Sequence, residues 1–219
     1  MLINVWDTET TGLPLFNDPS EDPRQPHIVE LAAILIDDKT REEKGLVHYI
    51  VRPDGWTIPA EVAAIHGITQ ERAMDEGIPE WKVIREFHEL NQQADLRVAH
   101  NGQFDDRIMR IGIKRFGDGC TDNVSVGLEA WRGYTQEYKD DLADAFKSRP
   151  SYCTMKNSTN ILNLPATPAM VKSGRGSWKK QPSLAEAYRH FFGEELQVAH
   201  SALYDARNCA KIYFALTQK

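Results

Sequence analysis

The sequence predicts a mixed α/β sheet of about five strands covered by helices. Three observations carry this. Three apolar, β-branched runs follow one another near the start with no helical stretch between them. Beyond residue 59 the apolar spacing changes from the strand period to the helical one. Two further short apolar runs then alternate with helical segments.

Taken in order, Leu2 to Trp6 is almost wholly apolar and reads as a strand buried on both faces. Pro14, Pro19, Pro23 and Pro26 punctuate a connection that is neither helix nor inner strand. His27 to Ile36 is a second strand. Leu46 to Val51 is a third, closed by the turn residues Pro53-Asp54-Gly55. Short connections make these an antiparallel meander. A helix runs from Pro59 towards Ile65, and Thr69 caps a second start. Trp81, Ile84, Phe87 and Leu90 mark a helix over Pro79 to Gln93. Leu96 to Ala99 is a fourth strand, followed at once by a helix from Phe104 to Phe116. Ser151 to Met155 reads as a fifth strand and the glycine-rich Val171 to Gln181 as a flexible loop. Ser183 to Phe192 and Ala202 to Leu216 are the last helices.

One domain over 1–219 is expected, with a basic insertion around 164–182. A hydrophobic fraction of 41% excludes whole-chain disorder. The longest apolar run, Leu31 to Ile36, is far too short to span a bilayer. No basic leader precedes the first strand. Cys120, Cys153 and Cys209 lie far apart and form no CxxC pair, so neither a disulfide framework nor a cysteine metal site is indicated. A reducing cytoplasm is the expected compartment. The net charge is −6, yet Ala145 to Ala185 holds no Asp or Glu and carries seven cations, leaving −13 on the rest. Such a stretch reads as a solvated loop or as a phosphate-contacting surface.

The first strand leads into Asp7-Thr8-Glu9-Thr10-Thr11-Gly12. Residues two apart share a strand face, so the Asp7 and Glu9 carboxylates sit side by side. Their repulsion in a buried site is relieved by a hard cation. His100-Asn101-Gly102-Gln103-Phe104-Asp105-Asp106 puts more carboxylates at a strand-to-helix junction, where α/β sites form. His100 itself reads best as a hydrogen-bonded core histidine. Near the end, His200 and Asp205 are five apart and share no helical face. They meet only if His200 precedes the helix and Asp205 lies in its first turns, with Ser201 as cap. Asp7, Glu9, Asp105 and Asp205 would then hold two divalent ions, Mg²⁺ with Mn²⁺ as a substitute, and His200 would act as general base.

These three segments, Asp7-x-Glu9-Thr-Thr-Gly12, His100 to Asp105 and His200-x-Ala-x-x-Asp205, resemble the motifs of the DEDDh 3′→5′ exonucleases. That family includes proofreading subunits, RNase T and oligoribonuclease. The resemblance spans nearly the whole chain. It implies an RNase H-like fold and release of nucleoside 5′-monophosphates from the 3′ end of a single strand, with DNA favoured. It also implies that amides after Glu9, at Thr10 and Thr11, receive the terminal nucleotide, and that Leu13 and Phe104 pack against bases. Core burial is the competing reading for both. Ile65-His66-Gly67-Ile68-Thr69 resembles a family segment near the nucleotide, and Asn101 belongs to the second motif. Ser183-Leu184-Ala185-Glu186-Ala187-Tyr188 resembles the helix before the third motif in stand-alone members. The tyrosine variant of the superfamily has Tyr where this chain has Ser201, so the histidine variant fits.

The basic stretch now gains a purpose. Lys172, Arg175, Lys179 and Lys180, with Trp178 to stack on a base, would hold a strand beside an acidic centre. Little chain follows Tyr213, so a free-standing nuclease is expected over a polymerase-tethered subunit. Three rivals remain: an RNase T-like or oligoribonuclease-like exoribonuclease, a polymerase-associated proofreading or binding subunit, and a metal-free binding domain. The intact catalytic set argues against the last.

Overall fold

The computed structural model describes residues 1–119, 134–196 and 200–217. The meander is present. Strand β1 (Leu2–Thr10) pairs antiparallel with β2 (Ile28–Asp37), and β2 pairs antiparallel with β3 (Glu43–Arg52). Helices α1 (Ala60–His66) and α2 (Gln70–Glu76) follow, and the Thr69 hydroxyl accepts from the Arg72 amide as the expected cap. A two-residue strand β4 (Ile78–Pro79) lies parallel to β3, and α3 (Glu80–Gln92) runs from it. Strand β5 (Leu96–Ala99) then pairs parallel with β1 and leads into α4 (Gly102–Phe116). Next come α5 (Gln136–Ser148), β6 (Ser151–Cys153), α6 (Thr154–Leu162) and the short α7 (Pro168–Lys172). The last helices are α8 (Leu184–Phe192) and α9 (Ala202–Thr217).

Among the described residues the sheet has six strands, in the order β4-β3-β2-β1-β5-β6, where the sequence suggests about five. Ile78–Pro79 is the addition, too short to show a period. The fifth expected strand ends at Cys153, because Thr154 and Met155 already belong to α6. Part of the expected flexible loop is helical. Thr167 caps α7 by accepting from the Met170 amide, and Pro168 opens it. Cys120 and Ala199 lie outside the described residues.

Strand alternation divides the core. Trp6, Leu31, Ala33 and Leu35 face α3, α4 and α5, while Ile3, Val5, Ala32 and Ile34 face α9. The Trp6 and Phe87 rings meet tilted at 49°, centroids 4.8 Å apart, which fixes the first face beside β1. Gly112 lets α4 approach α3 closely; a Cβ there would lie 2.4 Å from Ile84 Cδ1. Because β1 and β5 are parallel, their C-terminal ends lie together. The starts of α4 and α9 approach that same end from opposite faces.

Candidate active site

Strand β1 extends through Thr10, so Asp7 and Glu9 lie within it, on the face that α9 covers. Thr8 points the other way. Its amide and its hydroxyl both donate to Asp105 Oδ1, at 3.1 and 2.9 Å. Asp105 is buried in the first turn of α4, and these two bonds fasten that turn to β1. Asp106 turns aside to accept from Arg97 at 2.8 Å, and the Arg97 guanidinium in turn lies 3.9 Å from the Phe146 ring centroid. Of the two neighbouring aspartates, Asp105 is therefore the one held against β1.

His200 precedes α9 and Asp205 lies in its first turn. The His200 amide donates to Asp205 Oδ2 at 3.2 Å, and the His200 backbone is left-handed, φ 63°. A non-glycine residue there is strained and must be held by its surroundings. Ser201 stands at the cap position, its carbonyl accepting from the Asp205 amide. The Ala202 amide donates instead to Glu30 Oε2 of β2, at 2.9 Å. One donor atom from each of Glu9, His200 and Asp205 lies within 4.8 Å of the others.

The electrostatics agree with this crowding. Burial, then the charges of Asp105, Asp205, Glu9 and Glu30, push Asp7 well above the carboxylate range. Burial and the neighbouring carboxylates raise Glu9 to about 8. Burial raises Asp105 to about 7 against the opposing Thr8 bonds, and raises Asp205 to about 6 against the His200 amide. Asp205 Oδ1 is buried and accepts no hydrogen bond from the described residues. Crowded oxygen donors with an orphaned lone-pair site fit a hard divalent cation.

A stability prediction follows from these directions. The folded protein holds protons that the unfolded chain would release, so the cluster stabilises most at low pH. That contribution is lost as pH rises through about 6 to about 8. In chelator, the melting temperature should fall from pH 5 to pH 8.5 by roughly 5 °C or more. Saturating Mg²⁺ should recover more of it at pH 8.5, where the carboxylates need not first lose protons. Equal Mg²⁺ effects at both pH values would contradict the shifted carboxyls.

The remaining candidates are distributed around this centre. The Thr10 hydroxyl donates to the Gly12 carbonyl at 2.7 Å, and Thr11 accepts from the His27 amide at 3.0 Å, so both side chains fix the turn after Glu9. Leu13 is 80% exposed beside it, away from any core, whereas Phe104 is half-buried against the α3–α5 cluster. Asn101 is exposed and left-handed at the start of α4. His66 is buried. Its Nδ1 accepts from the Ile68 amide, and its Nε2 has no partner among the described residues. Lys172, Arg175, Lys179 and Trp178 are exposed on the basic segment. Arg175, Trp178 and Lys179 line a groove of about 560 Å³ with Asn160 of α6. Lys180 is different: it is clasped by Glu186, which also closes the capping box of α8.

His100 anchors the root of that segment. Its Nε2 lies 3.0 Å from the Pro182 carbonyl and its Nδ1 2.9 Å from the Thr154 hydroxyl. A carbonyl only accepts, so Nε2 carries the hydrogen. Burial holds the ring neutral by lowering its pKa to about 4. Sequence reasoning passed over Glu30 and His48, which meet at 2.7 Å. The signal was there in Glu30, a single carboxylate inside the apolar run from Ile28 to Ile36.

A family model described as Exonuclease, of the RNase T type, matches residues 5–213. A PolC-type DNA polymerase III of Thermotoga petrophila is 33% identical over 116 residues, covering 51% of this chain and 7% of that protein. E. coli exonuclease I with a dT13 oligonucleotide superposes with a TM-score of 0.64 at 19% identity, covering 99% of this chain and 41% of that one. A zinc-bound E. coli exonuclease I–ssDNA complex superposes at 0.62 and 19%, covering 99% and 40%. The chain thus spans about two-fifths of the solved structures it matches. The likeness shows a shared fold, the RNase H-like one expected. Among the described residues no helix is long and apolar enough to cross a membrane.

Proposed function

Because the chain belongs to the exonuclease family matched over residues 5–213, we propose that it is a divalent-metal-dependent 3′→5′ exonuclease acting on single-stranded nucleic acid, DNA in preference to RNA, and releasing nucleoside 5′-monophosphates. The observation that carries this is the convergence of Asp7, Glu9, Asp105, Asp205 and His200 at one end of β1. The oligonucleotide and the zinc ion in the E. coli exonuclease I complexes support the substrate and the cation class.

Asp7, Glu9, Asp105 and Asp205 would hold the ions, Mg²⁺ or Mn²⁺. Bound there, they would acidify the attacking water and offset charge gathering on the phosphoryl oxygens. His200 is exposed and borders the carboxylates, so a ring nitrogen can accept the proton that water loses as its oxygen attacks phosphorus. The bond from phosphorus to the 3′ oxygen of the preceding nucleotide would break, that oxygen taking a proton from solvent water while His200 later returns its own to solvent. The strand is one nucleotide shorter and a 5′-monophosphate is free.

The turn at Thr10 and Thr11 and the exposed Leu13 would seat the terminal nucleotide. His66 has a ring nitrogen without a partner among the described residues, Asn101 precedes α4, and Phe104 lies in its first turn. Lys172, Arg175 and Lys179 make no ion pair among the described residues, and Trp178 lines a groove of about 560 Å³ where a base could stack. With Lys180 committed to Glu186, strand tracking falls to the other three cations.

A ribonuclease reading retains one support, the likeness of His200 to Asp205 to the RNase T motif. A time course on 5′-labelled DNA and RNA of matched sequence, single- and double-stranded, with Mg²⁺ or chelator, separates the two. We expect a single-nucleotide ladder, fastest on single-stranded DNA and absent in chelator. Faster RNA shortening would select the ribonuclease reading. Internal cleavage, or activity in chelator, would overturn both.

A further inference from the structure

We propose that Glu30 is a positioning residue, which sets where His200 and Asp205 stand relative to Glu9 by capping α9 from the neighbouring strand. This rests on the exonuclease reading of the site. Glu30 lies directly opposite Glu9 in the β1–β2 register, so both carboxylates share the face that α9 covers. It is 5% exposed, and among the described residues the only basic side chain within ion-pair distance is the His48 imidazole.

Its two oxygens are divided between two elements. Oε2 accepts from the Ala202 amide at 2.9 Å, across 172 residues of sequence. Oε1 faces His48 Nε2 of β3 at 2.7 Å. One side chain therefore ties β2 and β3 to the first amide of α9. A carboxylate is well matched to a helix N-terminus, where unsatisfied N–H groups and the dipole both favour negative charge.

The consequence falls on two groups that touch the reaction. The residue before Ser201 is the strained His200, and its amide is bonded to Asp205. Fixing Ala202 fixes both ends of that short arc. A placement error of about 1 Å in such a group costs on the order of 10²-fold in rate. Buried carboxylate beside buried carboxylate is otherwise unfavourable, since Glu30 raises the proton affinity of Asp7, Glu9 and Asp205. Its place is accounted for by the bond it makes.

Two mild variants separate reach from charge. Glu30→Gln keeps the length and an oxygen for the Ala202 amide but loses the charge. Glu30→Asp keeps the charge and draws the oxygens back by one methylene. Each is measured for kcat and KM on a single-stranded oligonucleotide at saturating Mn²⁺. Exchange protection of the Ala202 and Asp205 amides and Mn²⁺ binding are also measured, without substrate. We expect Glu30→Gln to hold kcat within about fivefold and keep its amide protection. Glu30→Asp should lose about 10²-fold in kcat with KM nearly unchanged, and should lose protection at both amides. The reverse order, with Asp active and Gln inactive, would mean that the charge matters and not the cap. Wild-type kcat and protection in both variants would likewise overturn the proposal. If the wild type shows no divalent-dependent hydrolysis, the exonuclease reading fails, and amide exchange alone still decides the cap.

Discussion

Asp7→Asn should abolish turnover and at the same time raise the melting temperature of the metal-free protein. The two effects have one cause. Asp7 is surrounded by Asp105, Asp205, Glu9 and Glu30, and burial with their repulsion drives its proton affinity far up. A neutral amide of the same shape is buried there without having to take up a proton. The apo protein at pH 8 should then gain stability, and its melting temperature should move less between pH 5 and pH 8.5 than in wild type. Catalysis suffers because the same charge is needed to hold a cation, and the cluster works as a unit. The expected loss in kcat is at least about 10³-fold. Differential scanning fluorimetry in chelator and single-turnover cleavage with Mg²⁺ read the two sides. A variant that is stabilised yet active would place the metal site elsewhere. A variant that is inactive because it unfolds would contradict the repulsion.

His200→Ala should lower kcat by about 10²- to 10⁴-fold, the usual worth of a positioned general base. Its effect on binding separates it from Asp7. His200 is proposed as a base and not as a ligand, so Mn²⁺ affinity should stay within a few-fold of wild type. The variant should regain part of its rate as pH rises and hydroxide becomes abundant. The geometry makes the test necessary, because a donor atom of His200 lies within 4.8 Å of donors on Glu9 and Asp205. Loss of Mn²⁺ binding in His200→Ala would make it a ligand. Wild-type kcat where chemistry limits the rate would leave the base to be found in another residue.

Much of this site is legible in the sequence because it follows local periodicity. Asp7 and Glu9 share a face by the strand period alone, and the strand holds them so. His200 and Asp205 can meet only if the helix starts between them, and it starts at Ala202. What stayed hidden depends on contacts distant in sequence. The Thr8 bonds that single out Asp105 cross 97 residues, and the Glu30 cap crosses 172. Lys180 reads as one more cation in a basic run until Glu186 is seen closing on it. Strand β4 has only two residues, and α6 lies inside the stretch where charge was the conspicuous signal. Periodicity needs length, and pairing needs the fold.

The most direct test of the account is to count divalent ions on the protein. Mn²⁺ binding is followed by electron paramagnetic resonance with a nucleoside 5′-monophosphate present, in wild type and Asp7→Asn, independently of any turnover. Two saturable ions are expected in wild type, with both weakened beyond detection or at most one retained in the variant. Wild-type stoichiometry and affinity in Asp7→Asn would contradict the account, as would a wild-type protein that hydrolyses DNA while binding no Mn²⁺.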